Sequence, residues 1–330
     1  LTRILSGMRP TGALHLGHYF GVIRQWLDLQ ASADCFFFAA DWHALTTDYE
    51  RLGDTDRYTR DMVRDWLACG IDPEQAVIFR QSDVKVHAEL HLILSMMTPL
   101  GWLERVPSYK DMRQNLTDRT LDTYGFLGYP LLQTADIVLY GADEVPVGED
   151  QVAHLELARE VVRRLHHLVG RTIFVEPKPR LTAEPKIPGT DGRKMSKSYG
   201  NAIFLGDDAA TIAARTAVMI TDPQRVRRSD PGNPDVCDVF ALHRAASRPA
   251  EVAEIDAACR RAEIGCVECK KRLAASIDGH LAPIRERRAA IDDAVVAEVL
   301  ARGSAQAAAE AEPVMQQVRE AIGLPGDRRP

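Results

Sequence analysis

The sequence predicts a doubly wound parallel α/β sheet followed by an all-helical region. Three observations carry this. Short apolar runs alternate with amphipathic helical segments up to about residue 176. A break rich in proline and glycine follows. Beyond it the chain is Ala-rich, with helical spacing and no clear strand signal. A length of 330 residues fits about two domains, and 45% hydrophobic residues suffice for a sizeable core.

Residues 3–8 open the fold as a strand, and 35–40, Cys-Phe-Phe-Phe-Ala-Ala, form a second. Uninterrupted apolar runs of this kind suit strands covered on both faces. Between them Phe20, Ile23 and Leu27 recur at helical spacing, and Val22, Trp26 and Leu29 widen the stripe. A helix through about 57–69 ends at Gly70, Asp72-Pro73 turns the chain, and 76–80 is a third strand. A helix over about 87–97 comes next. Pro130 marks the first residue of a helix running to Tyr140, since proline is favoured where the N–H has no partner. A strand near 144–147 leads through Gly148-Glu149-Asp150-Gln151 into another helix. Over 177–193, Pro177, Pro179, Pro185, Pro188, Gly189 and Gly192 interrupt any regular element, so a mobile loop is expected. The last helix, about 304–322, stops at Gly323 and Pro325.

No stretch approaches the roughly 18 apolar residues of a membrane span. The first residues lack the basic-then-apolar pattern of a signal peptide. A cytoplasmic protein with no membrane partner is expected. The net charge of −6 argues against a nucleic-acid partner, but its distribution argues for one. Residues 225–288 hold 13 Lys plus Arg against 10 Asp plus Glu. Arg225, Arg227 and Arg228, then Lys270, Lys271 and Arg272, then Arg285, Arg287 and Arg288 form three clusters. Each alone fits a solvated helix face. Together, beside an acidic body, they suit a protein that holds RNA and releases it.

Two short motifs carry chemistry. Residues 6–18 read Ser-Gly-Met-Arg-Pro-Thr-Gly-Ala-Leu-His-Leu-Gly-His, where a strand turns into a helix. Gly7, Gly12 and Gly17 permit close backbone approach to a ligand, and a helix start offers unpaired N–H groups to an anion. His15 and His18 share one face of the first turn, placed to donate to phosphate oxygens. The bland alternative is a glycine-rich turn with two surface histidines. The second motif, Lys194-Met195-Ser196-Lys197-Ser198, sets two ammonium groups and two hydroxyls on a polar loop. They suit a triphosphate whose leaving pyrophosphate gains charge, against the alternative of a solvated basic loop. A metal reading of the histidines is weak, because His15 and His18 have no third ligand nearby and His166-His167 diverge on a helix.

His-Leu-Gly-His and Lys-Met-Ser-Lys-Ser, in this order, resemble the two signatures of class I aminoacyl-tRNA synthetases. The likeness extends over nearly the whole chain. Asp41-Trp42-His43-Ala44-Leu45-Thr46-Thr47, Leu103-Glu104-Arg105-Val106-Pro107, Tyr129-Pro130-Leu131-Leu132-Gln133-Thr134-Ala135-Asp136 and Val145-Pro146-Val147-Gly148-Glu149-Asp150-Gln151-Val152-Ala153-His154 look like bacterial tryptophanyl-tRNA synthetases. The resemblance implies a Rossmann-type catalytic domain over 1–199 and a helical anticodon-binding domain over 200–330, with the last helix free to pack back on the first domain. It implies that L-tryptophan is activated with ATP and Mg2+, transferred to tRNA(Trp), and that the protein is a homodimer. Arg9, Pro10, Thr11, Gly17, His18, Gly148, Glu149, Asp150, Ile187, Lys194, Met195, Ser196, Lys197 and Ser198 would line the ATP site, with His15, His18, Lys194 and Lys197 catalytic. Asp136, Tyr129, Gln133, Gln151 and His43 would form the amino-acid pocket.

In that family the residue matching Asp136 accepts a hydrogen bond from the indole N–H. The residues agree: Asp136 sits among Ala135, Ile137, Val138 and Leu139, where a carboxylate needs a partner. An indole nitrogen is a donor only. An exposed Asp136, or one paired with an arginine, is the alternative. Gln133 departs from the apolar residue that some tryptophanyl enzymes carry there. A tyrosyl-tRNA synthetase shares the architecture and is the nearest rival. A synthetase-like protein that binds nucleotide or RNA without charging it is the second.

Cys35 and Cys69 are isolated and read as core residues. Cys237, Cys259, Cys266 and Cys269 end in Cys-x-x-Cys and read as a metal site. Zinc commonly takes two Cys-x-x-Cys pairs, and only one is present. A [4Fe–4S] cluster tolerates irregular spacing, and the spacing resembles that of cluster-bearing tryptophanyl-tRNA synthetases. Zn2+ stays open as the alternative, as do four unrelated buried cysteines.

Overall fold

A computed structural model describes residues 1–107, 109, 123–181 and 187–325, without the side chains of residues 51, 52 and 150. Five parallel strands make one sheet: β1 (Arg3–Met8), β2 (Asp34–Ala39), β3 (Ala76–Arg80), β4 (Glu144–Val147) and β5 (Lys178–Leu181), in the order β3-β2-β1-β4-β5. The doubly wound parallel sheet expected from the sequence is therefore present. The order in which strands are added reverses between β1 and β4. β1 pairs with β2 along its whole length, from Arg3↔Asp34 to Met8↔Ala39, but meets β4 at Ile4↔Glu144 alone. The two strands part toward their carboxyl ends, and ligands of open α/β sheets enter at such a switch point.

The helices that cover the sheet follow from the apolar periodicity. α1 (Leu16–His18) runs through a π-helical turn, Tyr19–Ile23, into α2 (Arg24–Gln30). α3 (Asp41–Asp48), α4 (Thr55–Cys69), α5 (Val86–Ser95) and α6 (Leu100–Glu104) come next. On one face Ile4, Phe37 and Ile78 pack with Trp26 and Trp66, and Trp26 stacks on Phe37 with centroids 4.3 Å apart. On the other, Leu5, Phe36, Phe38 and Phe79 pack with Leu90 and Val138. Consecutive strand residues thus serve opposite cores, which explains the unbroken Cys-Phe-Phe-Phe run. Cys35 and Cys69 are both buried in the first of these cores.

Three sequence-based boundaries change. α7 spans Tyr124–Leu139, so Pro130 lies inside it rather than at its start. Thr123 caps the helix by accepting from the Phe126 N–H at 3.2 Å, and buried Phe126 and Tyr129 anchor the turns upstream of the proline. That burial outweighs the one backbone bond a proline removes. After α8 (Val152–Val169) the chain enters β5, inside the stretch expected to be irregular. Pro179 is tolerated there because β5 ends the sheet's strand order and needs no ladder donor on its outer side. Pro185, together with residues 182–186, lies outside the described residues.

The C-terminal half is helical: α9 (Ala209–Ala217), α10 (Asp238–Ala246), α11 (Pro249–Arg260), α12 (Cys266–Ala290) and α13 (Asp293–Ala321). α13 begins at the Asp292 cap, eleven residues before the expected start, and passes straight through Gly303. Gly303 is where this helix crosses β3. A Cβ there would stand 1.8 Å from the Ile78 carbonyl oxygen, so only glycine allows the contact. Next to it Ser304 Oγ accepts from the Arg80 N–H at 3.3 Å and donates to Asp83 Oδ2 at 3.1 Å.

Gly303→Ala is accordingly expected to destabilise the fold by about 3 kcal/mol, the scale of an overpacked core. The exposed neighbour Ala305→Gly should cost only about 1 kcal/mol. Thermal unfolding of both variants checks the ranking. Equal losses would mean that α13 does not rest on β3.

The basic cluster at 285–288 is a staple and not a free surface. Arg285 binds Asp278 at 2.6 Å and the Asp207 carbonyl, Arg287 donates to the Ala68 carbonyl, and Arg288 binds Asp65 at 2.5 Å. The Arg287 and Arg288 bonds fasten α12 to α4. Among the described residues no helix is long and apolar enough to cross a membrane.

Candidate active site

The gap between β1 and β4 opens into a cavity of about 620 Å³. Leu5, Ser6 and Gly7 of β1 face Val145, Pro146 and Val147 of β4 across it, and Phe126, Tyr129, Gln133 and Asp136 of α7 close one end. Gly7 is needed here, since a Cβ would stand 2.5 Å from Cζ of the Phe38 ring. Arg9, His43, Gly148 and Gln151 also line it. Residues expected separately for ATP and for tryptophan therefore border one space.

The two phosphate motifs meet beyond the residues that line this cavity. Lys197 Nζ donates to Thr11 Oγ1 at 3.1 Å. The backbone joins them too: the Leu16 N–H donates to the Ile203 carbonyl at 3.0 Å, and the Leu205 N–H to the Leu14 carbonyl at 3.0 Å. Buried Asn201 organises the loop, accepting from the Ser196 N–H at 2.8 Å and donating to Asp191 Oδ1 and the Lys194 carbonyl. Ile187 and Met195 are buried and bonded through the backbone, while Lys194 and Ser198 are exposed.

The histidines differ from expectation in one respect. The helix start offers few free N–H groups, because His15 Nδ1 accepts from the Gly17 N–H at 3.1 Å, and the N–H groups of Leu16, His18 and Tyr19 bond to carbonyls. His18 Nδ1 accepts from the His15 N–H at 3.2 Å. A neutral ring whose Nδ1 accepts carries its proton on Nε2. Both rings, with centroids 3.9 Å apart, thus keep one outward donor each. The anion donors of this turn are side chains, not the peptide N–H groups expected from the sequence. Burial, with Lys197 and Lys194 nearby, brings His15 down to about 4. Burial likewise drives His18 well below the usual histidine range.

Asp136 lies at the inner end of the cavity, 1% exposed. His43 Nε2 is 2.8 Å from Oδ2 and His87 Nδ1 is 2.7 Å from Oδ1. The Gln81 amide nitrogen sits astride both oxygens, at 2.8 and 2.9 Å. Burial alone would push this carboxyl up, but the bonds from His43 and His87 hold it well below the usual carboxylate range. The alternatives of exposure and arginine pairing are excluded. Tyr129, 8% exposed, packs between Phe126 and His154. Glu149 begins a short helical turn beside Gly148 and is exposed, and the Asp150 side chain lies outside the described residues. Pro10 is buried beneath the turn that carries Arg9 and Thr11.

Cys237 precedes α10, Cys259 ends α11, and Cys266 and Cys269 sit one turn apart at the start of α12. Arg225 Nη1 lies 3.8 Å from Cys259 Sγ and 3.9 Å from Cys266 Sγ, so one guanidinium nitrogen stands between two sulfurs. Burial pushes the Cys269 thiol up to about 12 and raises Cys237 and Cys259. Among the described residues no three His, Cys, Asp or Glu side chains are arranged to hold a single ion. Around these thiols Arg227, Arg228 and Lys271 are exposed, whereas Lys270 donates to the Ala217 carbonyl and Arg272 pairs with Glu254.

The family of class I tRNA synthetases (W and Y) matches residues 1–282. The chain belongs to that family. The synthetase is 50% identical to a tryptophan–tRNA ligase of Thermotoga maritima, over 98% of this chain and 99% of that protein. It is 43% identical to one of Aquifex aeolicus, over 98% and 100%. A solved tryptophanyl-tRNA synthetase of Campylobacter jejuni, complexed with ADP and tryptophan, superposes with a TM-score of 0.86 at 33% identity, covering 98% of this chain and all of that one.

Sequence reasoning missed Gln81, His87, Tyr140 and Asn201 in this synthetase. Gln81 directly follows β3, and the carboxyl end of a parallel strand is where ligand contacts gather. That position was the available signal. The other three carry no signal of their own.

Lys197 offers a solution test. Burial, reinforced by Arg9 and opposed by Asp48, lowers it from the ordinary lysine value to about 8. Its charged form is therefore disfavoured before a phosphate arrives. A bound triphosphate favours that form and raises the value again. At pH 8, ATP binding without tryptophan should take up about half a proton, fading toward pH 6.5 where Lys197 is already charged. Calorimetry in two buffers of different ionisation enthalpy measures this. An uptake equal in the synthetase and in Lys197→Ala would assign the proton elsewhere.

Proposed function

We propose that this synthetase activates L-tryptophan in the β1–β4 crevice and transfers it to tRNA(Trp), with Asp136 reading the indole N–H. Tryptophan–tRNA ligase activity follows from the family and from relatives 43–50% identical along 98% of the chain. The observation that carries the site reading is the buried Asp136, held as a carboxylate by His43 and His87, lining the same cavity as Arg9 of the first phosphate motif. A carboxylate accepts from indole and gives phenylalanine nothing to replace it. The tyrosyl alternative shares only the fold, as a 22% identical tyrosyl-tRNA synthetase of Archaeoglobus fulgidus shows with a TM-score of 0.67.

Tyr129, Gln133, Gln151 and His43 complete the amino-acid pocket, and Arg9, Pro10, Thr11, Gly17, Gly148, Glu149, Asp150, Ile187, Met195, Ser196 and Ser198 surround ATP. The tryptophan carboxylate is already ionised at neutral pH, so attack on the α-phosphate needs no general base. Rate comes from positioning and from charge stabilisation. His15 and His18 donate from Nε2 to phosphate oxygens, while Lys194 and Lys197 take the charge that builds on pyrophosphate. Mg2+ enters with ATP, held by phosphates and water. ATP–pyrophosphate exchange run with each of the twenty amino acids tests the reading. Exchange with tryptophan alone is expected. Nucleotide binding without exchange would favour a non-charging protein.

We assign residues 1–199 to catalysis and 200–330 to the anticodon, with Arg227, Arg228 and Lys271 as the RNA-facing cations. ATP and tRNA place the reaction in the cytoplasm. Leu92 on α5, Met96 just beyond it, Leu100 on α6 and Tyr124 on α7 are exposed apolar or aromatic side chains that support a homodimer. Cys237, Cys259, Cys266 and Cys269 fit a [4Fe–4S] cluster by donor chemistry. They are four thiols, and Arg225 is set to compensate thiolate charge. Bound there, a cluster supplies a rigid cross-link among three helices and a one-electron couple. Anaerobically purified protein should be brown, with iron at about four per chain. Serine at any one of the four positions should bleach it and weaken tRNA charging more than tryptophan activation. Colourless protein with one zinc per chain would replace iron by Zn2+, and metal-free protein would end both assignments.

A further inference from the structure

Asp136 is surrounded by donors that are themselves anchored. The Gln81 amide can face a carboxylate only through its nitrogen, and its oxygen accepts from the Trp42 N–H at 3.1 Å. That backbone bond fixes which way the amide points. His87 is fully buried, with Nδ1 at 2.7 Å from Asp136 and Nε2 at 2.6 Å from the Tyr140 hydroxyl. Facing a carboxylate, Nδ1 must carry the proton, so Nε2 accepts from Tyr140 O–H. His43 Nε2 donates to the other oxygen. A carboxylate offers about four lone-pair directions. Three side chains make four contacts with it, two of them shared by the single Gln81 nitrogen, and the carboxylate also lines the cavity.

We infer that Gln81 and His87, with Tyr140 behind His87, are positioning residues that hold the Asp136 carboxylate in one fixed orientation as a pure acceptor beside the cavity, and so set discrimination for a donor-bearing indole ring. The inference rests on the reading of Asp136 as the indole acceptor. Without Gln81 the carboxylate loses the two contacts that hold its plane and is free to rotate. Without His87 it loses its anchored donor on Oδ1. In either case the acceptor is less fixed toward the ring, so an indole N–H gains less over a ring that lacks one. The other titratable group within electrostatic reach is His91 of α5. It makes none of the bonds to Asp136 described above.

The test compares tryptophan with its benzothienyl isostere, in which sulfur replaces the N–H. The readout is the ratio of their kcat/KM values in pyrophosphate exchange, with KM for ATP as the control for folding. Gln81→Met and His87→Phe keep volume and remove the donors. Each is expected to lower the ratio at least tenfold while leaving KM for ATP within about twofold, the loss of one hydrogen bond to a charged group. Tyr140→Phe, which removes one hydroxyl and disturbs the fold least, should move the ratio in the same direction by a smaller factor. It serves as the deciding variant if either of the others does not fold. Asp136→Ala tells the two levels apart. If Asp136→Ala keeps the wild-type ratio, the indole reading itself fails. If Asp136→Ala abolishes the ratio while the Gln81, His87 and Tyr140 variants all keep it, the reading stands and the positioning role is overturned.

Discussion

Asp136→Ala is expected to lower kcat/KM for tryptophan by about 30- to 1000-fold. This corresponds to about 2–4 kcal/mol for a charge-assisted hydrogen bond in a dry pocket. ATP affinity should change little, because the bonds of Asp136 run to His43, Gln81 and His87 and to neither phosphate motif. The variant should also be less stable, since His43, His87 and Gln81 each lose an acceptor inside the protein. The pH dependence follows from the direction of the shift. The folded-state pKa of Asp136 is depressed, so its contribution is present above the ordinary carboxylate value and is lost as pH falls below it. The difference in stability between the wild type and Asp136→Ala should therefore shrink in acid. Steady-state exchange kinetics and acid unfolding measure the two effects. Equal damage to ATP and tryptophan use would make Asp136 a structural residue.

Lys197→Ala should slow adenylate formation by about 10²- to 10³-fold, the usual cost of losing one preorganised charge donor. Lys194→Ala should act on the same step. The Lys197 ammonium is half-buried beside Thr11, His15 and His18 and already costs desolvation at neutral pH. That arrangement suits a group whose partner arrives with the substrate. Pyrophosphate carries the developing charge away, so transfer from preformed adenylate to tRNA should be nearly unaffected. Single-turnover measurements of the two half-reactions separate them. A variant slowed only in transfer would refute the role given to Lys197.

Much of the site was legible because the chemistry uses contiguous strings. His15 with His18, and Lys194 with Lys197, each stand three apart, and Asp136 stands out as a carboxylate among apolar neighbours. The fold class was legible because parallel strands covered on both faces read as unbroken apolar runs. Strand order was not, since β4 carries no mark that it pairs with β1 at a single position. Nor were Gln81, His87 and Asn201. Each works through a partner 10 to 55 residues away, so local sequence holds half of the information. The misplaced start of α7 has a physical cause: Pro130 reads as a helix start in the sequence, and the packing of Phe126 and Tyr129 overrides it.

The seat of α13 on β3 also has a consequence in time. Ile78 leaves the ribosome 225 residues before Gly303, the residue that covers its carbonyl. At ordinary elongation speeds that is a wait of roughly 10–45 s. During it, the apolar flank later closed by Ala307, Ala311, Met315 and Val318 has no cover from its own chain. The nascent protein thus spends most of its synthesis with an open side on the very layer that carries Gln81 and His87. Ending the chain before Gly303 would make that temporary state permanent.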